Sequence, residues 1–386
     1  MEFELNETQK LFKDSARELF AVECPPTFVR EAIEKDSPFS AHLWNKLVEQ
    51  GWTGLILSEE HGGTGLGLVE MAVAFEEMGR ALVPGPFMST VALAGPLIEH
   101  ACSKPYRSKL LKAICEGKLK ATVALLEESA SWSIEAVKLQ ATPTDSGIKL
   151  TGKKLFVNDA ETADLIITVA RQGADPILAF VDAKSLGVSI TKMPGLDVTR
   201  PIYEVAFDGV AVAAVDVLSD AAGVTQAVEH ALDVAALAVA AEMVGGMQWI
   251  METSVEYAKT RKQFGKPIGA FQAVQHHCAN MLLLSESARS AVYYAAWCMS
   301  NRPAEAAVAV SMAKAFTSDA YREVGNLGIQ VHGGIGFTWD ENLHFYYKRA
   351  KASELLFGDA EYHRERIARI VIDGETAARA IGKSGD

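Results

Sequence analysis

The sequence is short of most features that force a particular chemistry. Its five cysteines, Cys24, Cys102, Cys115, Cys278 and Cys298, are odd in number and form no C-x-x-C pair. That excludes a disulfide framework or a cysteine-rich zinc site as the organising device and suits a reducing compartment. Positive charge is scarce, with 37 Lys and Arg against 49 Asp and Glu and a formal net charge of −12. Binding a phosphate backbone needs clustered cations, so nucleic acid is excluded as a partner. The histidines at 276, 277, 332, 344 and 363 lack a spacing such as H-E-x-x-H, and no metal centre is expected. The glycines at 62, 63, 65 and 67 follow no clear strand and do not form G-x-G-x-x-G, so they read as a connector. The start, MEFELNETQKLF, has no basic region leading into an apolar core, hence no secretory signal is read there. The most apolar run, residues 231 to 251, carries Asp233 and Glu242 and reads as a buried helix, not a membrane span. A cytoplasmic protein is the expectation.

What is present is ample globular material. The 386 residues are 49% hydrophobic and 22% charged, enough for two or three domains with substantial cores. From Leu5 to about Gly117 apolar residues recur at helical spacing, as in Leu11, Phe12, Ala16, Leu19 and Phe20. Near Ala121 the pattern changes to short β-rich runs at 121–126, 148–157, 165–170, 177–181 and 203–207, divided by Gly, Asp, Asn and Pro. After Leu218 helical spans return at 222–257, 271–299, 303–328 and 343–372, long enough for a four-helix bundle. The expected architecture is α+β and mainly α. It comprises an N-terminal helical domain (1–120), a middle antiparallel β domain (121–218) and a C-terminal four-helix bundle (219–386).

The chemistry-bearing stretch is 231–275. Ala240, Ala241, Gly245 and Gly246 allow another helix or a flat ligand to approach the backbone closely. Glu242 then stands alone among apolar neighbours, and two readings compete. It is either paired with a cation at a helix crossing or a general base made stronger by apolar surroundings. Spacing does not separate them. Downstream, Arg261, Lys262, Phe264, Gly265, Lys266 and Pro267 form a cationic turn, and Phe271, Gln272 and Gln275 open a new helix. A guanidinium beside a Gly-permitted turn can hold a pyrophosphate by forked hydrogen bonds. Gln330-Val331-His332-Gly333-Gly334-Ile335-Gly336-Phe337 offers side-chain amide and bare backbone, a second place for phosphate or ribose.

R-K-Q-F-G-K-P-I followed by F-Q-A-V-Q, and then Q-V-H-G-G-I-G-F-T, resembles the C-terminal domain of the flavin-dependent acyl-CoA dehydrogenases. Gly51-Trp52, E-E-H-G-G from Glu59, E-E-M-G-R from Glu76 and Y-E-V-A-F-D from Tyr203 extend the likeness over nearly the whole chain. The resemblance implies FAD as cofactor, an acyl-CoA substrate and an electron-transfer flavoprotein-type acceptor. It also implies a flavin lying across a subunit boundary, in a homo-oligomer or a heterotetramer with a homologous subunit. Arg261, Phe264, Gln272, Gln330, Gly333 and Gly334 are the expected cofactor residues, and the N-terminal helices would wall the acyl pocket.

The chain departs from the family's pattern in three places. Leu126-Glu127-Glu128-Ser129-Ala130-Ser131-Trp132 stands where members usually carry T-E-P and then G-S-D, and Phe156 and Asn158 replace the usual Trp and Thr. Leu356-Phe357-Gly358-Asp359-Ala360 stands at the Y-E-G-T segment, which puts Gly358 at the carboxylate position; the alternative base position on the Ala-rich helix falls on Ala235. On the CoA side Asp233 is kept, but Ala236 stands where many relatives have Arg. Three functions stay open. The first is a dehydrogenase in which Glu242, or as second choice Asp359, removes the α-proton while the β-hydride passes to flavin. The second is a non-catalytic partner subunit completing the flavin site of a homologue. The third is a helical interaction protein that has lost the cofactor. An oxidase or monooxygenase on the same scaffold is a further possibility.

Overall fold

A computed structural model describes residues 4–37 and 39–374. Six helices come first: α1 (Glu7–Glu23), α2 (Pro26–Glu34), α3 (Ala41–Glu49), α4 (Leu68–Ala81), α5 (Gly95–Ala101) and α6 (Lys104–Cys115). Eight strands follow: β1 (Ala121–Ala124), β2 (Ala141–Thr144), β3 (Gly147–Asn158), β4 (Leu165–Gln172), β5 (Asp175–Asp182), β6 (Val188–Met193), β7 (Ile202–Ala213) and β8 (Val217–Leu218). Then come α7 (Ala221–Thr260), the short strands β9 (Lys262–Gln263) and β10 (Lys266–Pro267), α8 (Gln272–Asn301), α9 (Pro303–His332), α10 (Leu343–Leu355) and α11 (Ala360–Ala368). This is the expected order of helical, β and helical regions. By compactness the chain forms two units, Met1–Pro26 with Leu68–Val83 and Ala236–Asp386, and Thr27–Gly67 with Pro84–Ala235.

In the first unit, Asn6 caps α1 in a capping box, its side chain accepting from the Gln9 amide while Gln9 accepts from the Asn6 amide. The decisive contact is between α4 and α7. A Cβ on Gly79 would collide with the Glu242 carbonyl, and one on Gly245 with the Glu76 carbonyl, so the helices meet backbone to backbone. That proximity buries Glu76 and Glu77 at 1% exposure each, and buried carboxylates require cations and donors. Glu76 accepts from Lys13 Nζ (2.7 Å), Arg289 Nε (3.1 Å) and Tyr293 Oη (2.8 Å). Arg17 forks onto Glu77 at 3.0 and 2.8 Å. Burial alone would raise the pKa of Glu76, but Lys13 and Arg289 outweigh it and hold the carboxyl below its ordinary value.

Long apolar faces pair α8 with α9, and α10 and α11 lie on α9. The sequence suggested one helix over 343–372, whereas the structure breaks it at Leu356–Asp359. Phe357 and Gly358 take φ of +58° and +100° there, which no helix accommodates. The part of α7 apolar enough to cross a membrane is 83% buried.

The second unit carries two four-stranded sheets, in orders β1-β4-β5-β8 and β2-β3-β7-β6. All pairings in these sheets are antiparallel except β1 with β4, which is parallel. One apolar core draws on both sheets, including Leu150, Ile166, Ile177, Tyr203 and Phe207. Strands β2 and β6 escaped the sequence reading because they are edge strands with mostly exposed side chains, ATPT and VSITKM. A π-helical stretch, Met88–Ala94, precedes α5. Its Thr90 hydroxyl bridges to β1, donating to the Ala121 carbonyl and accepting from the Ala121 amide, both at 3.1 Å.

Gly245→Val is expected to destabilise the protein by more than about 2 kcal/mol, since it forces a close-packed crossing apart. Gly334→Ala, with open space at its Cβ position, should change stability by less than about 0.5 kcal/mol. Urea denaturation measures both, and equal effects would contradict the crossing. In acid, the stabilisation from Glu76 is complete above the ordinary carboxylate range near 4.5. It falls away as the pH drops from there through the lower folded value; Glu76→Gln should flatten that part of the stability–pH curve.

Candidate functional site

The cationic turn is a tight hairpin. β9 and β10 pair Gln263 with Lys266, leaving Phe264 and Gly265 at the tip with φ of +52° and +78°. Two positive φ values are those of a type I′ turn, which glycine tolerates and phenylalanine does not favour. The tip holds Phe264 90% exposed. Arg261 forms the hairpin's base: its amide donates to the Tyr257 carbonyl and its carbonyl accepts from the Ile268 amide, each at 2.8 Å. Its guanidinium is exposed and pairs with no described residue. Lys266 Nζ sits 4.4 Å from the centre of the Phe271 ring, which meets Phe264 edge-on at 6.1 Å.

The glycines of α9 lie at the same end. His332, the last residue of α9, stacks its ring on Tyr257 at 4.4 Å. With its Nδ1 2.9 Å from the Gly328 carbonyl, that nitrogen carries the proton and donates. Burial lowers the His332 pKa. Gly333 then ends the helix at φ +67°, ψ −148°, a region reserved for glycine. Nothing lies within 4 Å of a Cβ built on Gly333 or Gly334. Gln330 and Gln272 are exposed at the adjoining ends of α9 and α8, and among the described residues neither side chain is hydrogen-bonded. Arg261, Phe264, Gln272, Gln330, Gly333 and Gly334 thus share one end of the helical unit. An unpaired guanidinium, two idle amides and bare glycine backbone form a donor set suited to a diphosphate. Tyr257 and His332 bring the two motifs together; the sequence reading named His332 within its motif but missed its partner Tyr257, which stands one helical turn before Arg261.

Glu242 is elsewhere. It lies on α7, 19 positions before Arg261, the residue that follows the helix's end, about 28 Å at 1.5 Å per residue. Glu242 is 5% exposed and ion-paired with the Arg349 guanidinium of α10, itself 2% exposed. A carboxylate held by a buried cation is stabilised in its charged form and is a poor proton acceptor. Of the two readings of Glu242, the geometry seen is that of an acid paired with a cation at a helix crossing. Asp359 is also engaged, capping α11 by accepting from the Tyr362 amide at 2.7 Å.

In the β unit, the segments that depart from the family pattern come together. The Leu155 amide donates to the Leu126 carbonyl at 2.9 Å, and the Thr122 hydroxyl to the Asn158 carbonyl at 2.7 Å. Fully buried Lys154 donates to the Leu125 carbonyl (3.0 Å) and Glu127 (2.7 Å). Glu127 also accepts from the Lys138 and Leu139 amides, so it ties loop to strand. Phe156 lies in a β-bulge at φ +56°, backbone strain of a kind that gathers at functional sites. A cleft of about 400 Å³ opens beside Glu127, Glu128, Ser129, Lys138 and Lys153.

With this geometry in place, comparison is informative. Residues 221–372 match the family model described as acyl-CoA dehydrogenase, C-terminal domain, and residues 6–118 match acyl-CoA dehydrogenase, N-terminal domain. The chain is 30% identical to the acyl-CoA dehydrogenase IpdE2 of Mycobacterium tuberculosis, over 94% of this chain and 96% of that protein. Among solved structures it is similar to the FAD complex of PigA, with a TM-score of 0.88, 25% identity and coverage of 96% of this chain and 99% of that one. The ChsE4–ChsE5 complex from Mycobacterium tuberculosis is also similar, with a TM-score of 0.86, 26% identity and coverage of 96% and 98%.

The Glu242–Arg349 pair predicts a non-additive mutant cycle. Glu242→Leu alone is expected to cost about 3–5 kcal/mol by stranding a buried guanidinium. Arg349→Met alone should be similarly costly, while Glu242→Leu with Arg349→Met should recover most of the loss. Denaturation midpoints of the three variants measure this; simple additivity would rule out the pairing.

Proposed function

This chain belongs to the acyl-CoA dehydrogenase family, and from that membership we infer that it is an FAD-dependent oxidoreductase that desaturates acyl-CoA thioesters as a subunit of an oligomer. The observation that carries the reading is the clustering of Arg261, Gln272, Gln330, Gly333 and Gly334 at one exposed end, where among the described residues no side chain pairs with those of Arg261, Gln272 or Gln330. We propose that Arg261 clasps the diphosphate of FAD, that the Gly333–Gly334 backbone lies against it, and that Phe264 packs on a neighbouring subunit. The similarity to PigA, solved with FAD, supports the cofactor, and that to the two-component ChsE4–ChsE5 complex supports assembly with a homologous subunit.

Bound FAD would supply an acceptor for the hydride leaving the acyl β-carbon, the α-proton passing to a base. This chain's own residues bind, orient and shield. Arg261 and the glycines hold the diphosphate end. In the other unit, Lys154 pins the Leu125–Glu127 loop. No free base is evident among the acids considered, since Glu242 is committed to Arg349, Asp359 to a helix cap, and position 358 is glycine. That pattern favours the partner-subunit reading, in which a homologue supplies the proton acceptor. We further propose a cytoplasmic location, an electron-transfer flavoprotein-type acceptor, and the three-domain division at residues 120 and 218.

Two measurements test this. Arg261→Ala in the assembled oligomer should weaken FAD retention about 10- to 100-fold, the worth of a lost charge-assisted fork. Unchanged flavin content would sink the diphosphate assignment. Glu242→Gln should leave acyl-CoA-dependent flavin bleaching intact per folded, flavin-loaded site; loss of bleaching at parental stability would restore Glu242 as the base.

A further inference from the structure

The turn between α10 and α11 is more tightly held than a connector needs to be. Phe357 and Gly358 are consecutive residues at positive φ, and each carbonyl is captured by a buried side chain. The Phe357 carbonyl accepts from His363 Nε2 at 3.0 Å, and the Gly358 carbonyl from Lys314 Nζ at 2.8 Å. Lys314 is 0% exposed, and its other protons go to the Ser318 hydroxyl (3.0 Å) and the Glu354 carbonyl (3.1 Å). Three acceptors around one amine call for all three protons of the ammonium form. Burial pushes that amine down to about 7 against the pull of Asp359 and Glu354, so its presence there is costly. On the far side of the turn, a Cβ at 358 would strike the Tyr362 ring and come within 3.0 Å of His363 Nε2. Tyr362 stands edge-on to His363 with centroids 5.1 Å apart.

We infer that Lys314 and His363 are positioning residues that lock this turn in a conformation only glycine at 358 can share, so that the chain cannot gain an acidic side chain there by one substitution. The inference rests on the proposed function in one respect: the missing group matters because the assembled enzyme needs a proton acceptor. The lock itself is a property of the chain. It makes Gly358 a fixed element of the fold and keeps any proton acceptor away from this position.

A double-mutant cycle on the full-length chain tests the lock. Gly358→Ala should lower the folding equilibrium constant about 10- to 100-fold in the parent, but less than about threefold in a Lys314→Met background, where the turn is free to relax. Should Lys314→Met fail to accumulate as folded protein, His363→Leu takes its place in the cycle. Equal penalties for Gly358→Ala in both backgrounds would overturn the positioning role. In the flavin-loaded oligomer, Gly358→Glu should melt lower and add no acyl-CoA-dependent bleaching; parental stability with new bleaching activity would overturn the inference. An oligomer that takes up no flavin would count against the proposed function alone, because the cycle reads the lock without cofactor.

Discussion

The contact on which the helical unit depends is the crossing of α4 and α7, where Gly79 and Gly245 let two backbones touch. Helices that close carry their flanking side chains into the interior, and in α4 two of those are glutamates. The ion pairs of Lys13, Arg17 and Arg289 with Glu76 and Glu77 follow from that geometry, as neutral partners would leave the carboxylates stranded. Glu242 belongs to the same layer. Its backbone forms one side of the crossing and its carboxylate meets Arg349. A residue that looks isolated in sequence is, in space, one of several buried acids each matched to a cation.

The sequence made the gross architecture readable because helix and strand periodicities are local. The change near Ala121 and the return to helices after Leu218 needed no tertiary information. The basic turn and the paired glycines were also legible, since both are written locally along the chain, and the structure brings them to one end. Partner identity was not. Nothing in LDVAALAVAAEMVGG announces that Arg349, 107 residues later, will reach Glu242. Lys314 sits in VSMAKAFT as a single cation among apolar residues, and only the path of the Leu356–Asp359 turn shows what it serves. The edge strands β2 and β6 are short and largely solvent-facing, so they carry too little apolar signal to stand out as strands.

The features that set this chain apart from its family's pattern are engaged in structure. Glu127 binds two amides and a buried lysine. Gly358 occupies a conformation that side chains avoid, with its carbonyl held from the core. Such positions are specified by their surroundings and differ from sites that have merely lost a functional group. The end proposed to hold a nucleotide keeps the family's residues, whereas the segments that depart from its pattern are tied into the fold, a combination suited to an assembly in which homologous chains differ in role.

Phe264 at the hairpin tip is 90% exposed, and Phe337 and Trp339, just past the paired glycines, are 59% and 58% exposed. Aromatic surface of that extent is a cost to a protein standing alone in water. A copy without its counterpart therefore displays the signal by which chaperones and proteases recognise orphaned subunits. Covering that surface with a second chain, as the proposed assembly would do, removes this cost and favours the assembled form over the lone copy.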